Sequence, residues 1–144
     1  MQLSKRTQYG LRALVCFADA YNRGYLQARE LSAREKLPPK FLESILNALT
    51  RGRFLVSKIG ATGGYRLGRP PRDILLSDIV ARLEGKRLLE PPLAEPNERP
   101  GETAVRVVQG RLTDAIQGVL GATTLAELAE QVAQQVRGGQ MYYI

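Results

Sequence analysis

The stretch that decides the fold runs from Leu37 to Leu67 and reads LPPKFLESILNALTRGRFLVSKIGATGGYRL. Its first half places Phe41, Leu42, Ile45, Leu46 and Leu49 at helical spacing. The Pro38-Pro39 pair supplies the start, because proline is tolerated in a helix's first turn, where its missing N–H has no partner to lose. A helix is expected from that pair to about Arg51, with Gly52 as its stop. Past the glycine the period changes from helical to alternating. Residues 54–59 and 65–67 read as two short strands, joined by Gly60-Ala61-Thr62-Gly63-Gly64, a loop rich in the residue that tolerates positive φ.

Working outward, Tyr9, Leu11, Leu14, Val15, Phe17 and Ala18 mark a helix over residues 4–21, which Gly24 stops. Residues 27–35 read as a second, short helix with Ala28, Leu31 and Ser32 facing inward. Downstream, Pro70-Pro71 ends the hairpin, and Ser77 is expected to cap a short helix through Ile79, Val80 and Leu83 to Gly85. Four prolines (Pro91, Pro92, Pro96 and Pro100) make residues 86–100 a linker or irregular loop. A long amphipathic helix over residues 103–120 follows, with Val105, Val108, Leu112, Ala115, Ile116 and Val119 along one side and Gly121 at its end. Thr124 and Glu127 form a capping box before Leu125, Leu128, Val132 and Val136, so a last helix is expected to about Arg137. Gly138-Gly139 then releases a tail.

Composition narrows the function. The 144 residues carry 21 Lys plus Arg against 14 Asp plus Glu, a net +7, and 44% of them are hydrophobic. That balance fits an ordinary globular domain and excludes disordered and low-complexity classes. There is one cysteine, Cys16, and no histidine. A disulfide framework, two-cysteine redox chemistry, zinc sites of the Cys and His type and imidazole catalysis all fall away. No paired nucleophile and base stands out, so an enzyme is not expected. The apolar run from Ala13 to Ala18 is too short for a membrane span or the plan of a signal peptide, and a cytoplasmic protein without membrane attachment is expected.

The charge is unevenly placed. Residues 1–90 hold 17 basic and 8 acidic side chains, net +9; residues 91–144 hold 4 and 6, net −2. Residues 34–72 alone hold nine basic and two acidic side chains, net +7. A field of this kind attracts polyanions through counterion release, which favours nucleic acid over an anionic membrane; on charge alone a merely solvated basic face is an equal alternative.

Short helix, turn, amphipathic helix and glycine-tipped hairpin together form the order of a winged helix-turn-helix. Its second helix has the diameter to enter a major groove. With the apolar stripe turned inward, Lys40, Glu43, Ser44, Asn47 and Arg51 are left outside. Glu43 can accept from a cytosine amino group, Asn47 can pair with adenine, and Ser44 can meet a base or a phosphate; Lys40 and Arg51 suit phosphates. In the wing, Lys58 and Arg66 flank a tip whose Thr62 and Gly63 allow the backbone close to phosphates. The tip lacks both the dinucleotide fingerprint and a following Gly-Lys-Ser/Thr, so it is not a phosphate loop of those kinds.

Leu3-Ser4-Lys5 with Tyr9, Leu11-Arg12-Ala13-Leu14, Phe41-Leu42-Glu43, Gly63-Gly64-Tyr65-Arg66-Leu67, Arg69-Pro70-Pro71 and Leu83-Glu84-Gly85 stand in an order that resembles the Rrf-two family of winged-helix transcriptional regulators, best known through its IscR-like branch. The resemblance covers residues 1–136. It implies a mainly α chain with a small β-hairpin. A winged helix-turn-helix domain would occupy residues 1–85, a Pro-rich linker 86–101, dimerisation helices 102–137 and a tail 138–144. It adds Ser4, Lys5 and Arg6 to the DNA-facing set and makes the stripe from Val105 to Val119 the dimer contact. The implied partners are double-stranded DNA carrying a pseudo-palindromic operator and a second copy of the chain, with a small-molecule or protein effector left unassigned.

The departures from the family also have consequences. Cluster-sensing members carry three cysteines, commonly with a histidine, where this chain has residues 86–106, and here that stretch has none. No iron-sulfur cluster and no other cofactor or metal is therefore expected, and Cys16 reads as a core residue. Ile59 stands where the family often has a wing arginine, Phe41 where it has a tyrosine and Ser44 where it has a glutamine. The expectation is a homodimeric, sequence-specific regulator of the repressor kind; the alternative is a winged-helix interaction module that has lost operator reading.

Overall fold

The computed structural model describes residues 2–142. Six helices and one hairpin follow in the order α1 (Lys5–Asp19), α2 (Ala28–Glu35), α3 (Pro39–Arg51), β1 (Leu55–Lys58), β2 (Gly64–Leu67), α4 (Leu76–Glu84), α5 (Pro100–Gly121) and α6 (Leu125–Tyr142). The chain is thus mainly helical with a small antiparallel wing, as its periodicities predict.

Local chemistry sets most boundaries. Ser4 accepts the Thr7 N–H at 3.2 Å and so caps α1. Pro38 and Pro39 open α3, and Lys36, at φ 54°, turns the chain out of α2 toward them. Leu55 pairs with Leu67 and Lys58 with Gly64, which sends Leu55 and Leu67 into the core. Their companions Val56, Lys58 and Arg66 share the outer face.

The core lies where α1, α3, α4 and the wing meet. Leu14, Leu42, Ile45, Leu46, Leu49 and Ile79 are fully buried, so the α3 stripe is held on one side along its length. Truncating any one of these to Ala is the kind of change that costs about 2–5 kcal/mol. Cys16 sits at the edge of this core. Burial, then the charge of Glu35, pushes its thiol up, which keeps it protonated and weakly nucleophilic.

The wing is tied to the body by a bridge between Leu26 and Tyr65, each N–H donating to the other's carbonyl at 2.8 Å. Gly64 beside it adopts φ +135°, and a Cβ there would overlap the Leu26 carbonyl oxygen. Gly64→Ala is expected to destabilise the chain by about 2–3 kcal/mol, from strained φ and lost bridge together. Denaturant unfolding measures this, and a midpoint equal to wild type would show that the bridge is dispensable.

Three boundaries differ from expectation. Ser77 does not cap α4; it is buried one position inside the helix, and Leu75 occupies the cap. A tertiary contact does the work instead, because the Leu76 N–H donates to the Thr123 carbonyl at 2.9 Å and needs no local side chain. α5 begins at Pro100 rather than Thr103. Proline again fits a first turn, and Glu102 accepts the Arg99 N–H at 2.8 Å. α6 passes through Gly138-Gly139 to Tyr142, since a helical glycine costs only about 1 kcal/mol relative to alanine. Of the expected tail, residues 143 and 144 lie outside the described residues.

The expected capping box of α6 is present: Thr124 Oγ1 accepts the Glu127 N–H at 3.1 Å, and Glu127 accepts the Thr124 N–H at 3.4 Å. The linker is less irregular than its prolines suggest. A 3-10 turn covers Lys86–Leu88, and Glu98 near the far end is clamped to α5 by Arg106, at 2.8 Å from Nε, and by the Thr103 hydroxyl, also at 2.8 Å. These hydrogen bonds, Arg106's first, hold the Glu98 carboxyl down to about 2.

Candidate nucleic-acid interface

α3 presents Lys40, Glu43, Ser44, Asn47 and Arg51 to solvent, all five exposed, while its apolar stripe is buried beneath them. The arrangement follows from the 3.6-residue period, which leaves one face for the core and the other for a ligand. Phe41 lies between the two faces. It is half-buried and meets the Tyr9 ring edge-on at 5.5 Å, so it braces α3 against α1.

Tyr65 orients one of the outward groups. Its hydroxyl donates to Asn47 Oδ1 at 3.5 Å, a long bond that engages one of the oxygen's two lone pairs. Paired reading of adenine needs oxygen and nitrogen together, and the second lone pair with the NH2 group keeps that pairing available.

The wing stands beside α3. Lys58 and Arg66 share its outer face, and both cations lie over the ring of Tyr25, at 5.7 and 4.8 Å from its centre. Tyr25 escaped the sequence reading because nothing in the spacing from residue 25 to residues 58 and 66 announces the meeting. Its effect is to gather two long side chains against one ring, which reduces the conformational freedom each would otherwise lose on meeting a phosphate. At the tip, Thr62 is exposed and Ile59 is 97% exposed. Gly63 is not: it is buried inside the turn, its N–H donating to the Gly60 carbonyl at 3.0 Å, and a Cβ would overlap the Lys58 carbonyl. The glycine permits the tight turn, and the outward backbone is that of residues 60–62.

At the start of α1 the three candidates separate. Lys5 is exposed, Arg6 is half-buried, and Ser4 is committed to the cap, with its own N–H donating to Glu84 at 2.6 Å. That bond holds the Glu84 carboxyl below its ordinary range.

α5 is almost unburied in the single chain. Thr113 is its only buried residue, whereas Val105, Val108, Leu112 and Val119 are exposed by 57, 56, 51 and 66%. Val107, which the sequence reading did not select, is exposed as well, and so is Ala115. Ile116 turns partly toward the linker, where it lines a cavity of about 650 Å³ with Leu88, Pro91 and Leu93.

Among the described residues no helix is long and apolar enough to cross a membrane. The donor chemistry does not fit a cysteine-ligated cluster: residues 86–106 contain neither cysteine nor histidine, and the chain's one cysteine is buried in α1.

The sequence profile of the Rrf2 family, described as iron-dependent transcriptional regulators, matches residues 3–131. Rv1287 of Mycobacterium tuberculosis H37Rv, named for an HTH-type transcriptional regulator, is 33% identical over 148 residues, covering 93% of this chain and 88% of its own. The solved structure of CymR, the global cysteine regulator of B. subtilis, superposes with a TM-score of 0.78 at 30% identity, covering 91% of this chain and 98% of its own. T. potens IscR gives 0.75 at 27% identity, covering 92% and 88%. These relatives are named as transcriptional regulators, and the two solved structures share this chain's fold. The chain belongs to the Rrf2 family of winged-helix transcriptional regulators.

Proposed function

We propose that the chain is a homodimeric, sequence-specific DNA-binding regulator that works without a cysteine-ligated cluster. The observation that carries the reading is the outer face of α3, with five polar or charged side chains exposed beside a wing that gathers Lys58 and Arg66. α3 would enter the major groove and set base preference through Glu43, Ser44 and Asn47, while Lys40, Arg51 and the wing cations hold phosphates. The exposed valines of α5 would pack against those of a second copy, so that two α3 helices meet two half-sites. Occupying a promoter is enough to repress it, whereas activation needs a further contact with polymerase; repression is therefore the simpler reading.

Selection from a random duplex pool tests this. A preferred site with two-fold symmetry is expected, with affinity falling about a thousandfold or more between 50 and 200 mM salt if six or more phosphates are held per dimer. Binding with no sequence preference would favour the interaction-module reading instead.

A further inference from the structure

A second concentration of cations lies beside the face just described. Where the start of α1, the later half of α3 and α4 meet, a cavity of about 410 Å³ is lined by Arg6, Ser44, Asn47, Ala48, Arg51 and Arg82. Three elements each contribute one guanidinium, and no carboxylate is in the lining. Among the described residues none of the three arginines forms an ion pair. The neighbouring Glu84 faces Ser4, whose N–H it accepts.

Arg82 is the informative member because its placement is fixed. Its Nε–H donates to the Ala48 carbonyl at 2.8 Å. Its Cδ lies against Gly52, 3.2 Å from where a Cβ would stand. The side chain therefore crosses the end of α3, adds a second donor to a carbonyl that already accepts the Gly52 N–H, and leaves the terminal nitrogens for another acceptor. Gathering three guanidiniums is electrostatically unfavourable until an anion joins them. The Ser44 hydroxyl and the Asn47 amide add neutral donors, a set that suits the oxygens of a phosphate.

We propose that this cavity is a phosphate-binding site that receives a backbone phosphate of the bound duplex, with Arg82, from outside the helix-turn-helix pair, as one of its ligands. The proposal rests on the DNA-binding reading. The backbone is the source because the cavity shares Ser44, Asn47 and Arg51 with the exposed face of α3, so a duplex seated on that face brings its phosphates to the rim. Arg82 then holds α3 and the DNA at once, which couples the position of the reading helix to its register on the duplex.

The test is a salt titration of binding to a labelled duplex pool by the full chain. Arg82→Ala is expected to weaken binding about tenfold at low salt and to make the slope of log affinity against log salt shallower by about one per protomer. Arg82→Lys retains the charge but loses the Nε bond to Ala48, and it is expected to keep the wild-type slope. If Arg82→Ala leaves the slope unchanged, or both variants lose it equally, the proposal is overturned while DNA binding stands. Failure of the wild-type chain to bind any duplex would remove the DNA reading itself, and the proposal with it. Calorimetry with inorganic phosphate on DNA-free protein supplies the other arm. Saturable phosphate binding that Arg82→Ala abolishes, with duplex affinity untouched, would assign the site to a free anion and overturn the backbone assignment.

Discussion

Val108→Asp is expected to convert the proposed dimer into monomers and to lower affinity for a two-fold-symmetric duplex by about a hundredfold or more. Val108 is 56% exposed in the single chain and supports no contact in its own core, so the substitution spares the monomer fold. At the centre of the proposed α5-to-α5 contact the same carboxylate would have to be desolvated without a partner, a penalty of several kcal/mol. Once the two winged domains are unlinked, the second half-site no longer benefits from an effective concentration near the millimolar range. Sedimentation equilibrium and operator titration on the same sample read both effects. A variant that remains dimeric with native affinity would show that α5 is not the dimer contact.

The second large effect concerns charge. Lys40→Glu combined with Lys58→Glu is expected to reduce binding to any duplex by about a hundredfold at low salt and to make the salt slope shallower by about two per protomer, since each reversal deletes one phosphate partner and adds a repulsion. Both lysines are exposed, and among the described residues the side-chain interaction at stake is Lys58 over Tyr25, which is worth about 0.5–1 kcal/mol at an exposed site. The melting temperature should therefore fall by only a few degrees. Filter binding against salt, with melting as control, decides the matter. Unaltered cellular function would support the interaction-module reading.

What could be read in advance was what depends on neighbours in sequence. Pro38-Pro39 announces α3 because proline's φ is fixed by its own ring. Thr124 and Glu127 announce α6 because their two bonds close within one turn. The α3 stripe announces its own opposite face, which is why all five of its outward candidates are exposed. Ser77 misled because the N–H group after Leu75 finds its acceptor at Thr123, far along the chain. Tyr25 beneath Lys58 and Arg66, and Arg82 against Ala48, are likewise meetings of distant residues. No periodicity encodes them; they exist only after the core has assembled. Ser4 and Gly63 illustrate the converse. Both belong to motifs expected from the sequence to face DNA, and the structure uses one as a cap and the other as a turn residue.

The bridge between the start of α4 and the start of α6 has a mechanical consequence. Leu76 N–H to Thr123 oxygen and Leu125 N–H to Ile74 oxygen, at 2.9 and 2.8 Å, rivet the far end of α5 to the winged domain, while Glu98 and Arg106 only fold the end of the linker onto the start of α5. α5, about 33 Å long at 1.5 Å per residue, is thus a strut fixed at its far end rather than an arm swinging on a proline-rich tether. The proposed dimer, built on it, would behave as a caliper of fixed opening. Changing the length of the linker would leave that opening in place, whereas loosening the rivet at Thr123 would let the two jaws drift out of phase with the turns of a bound duplex.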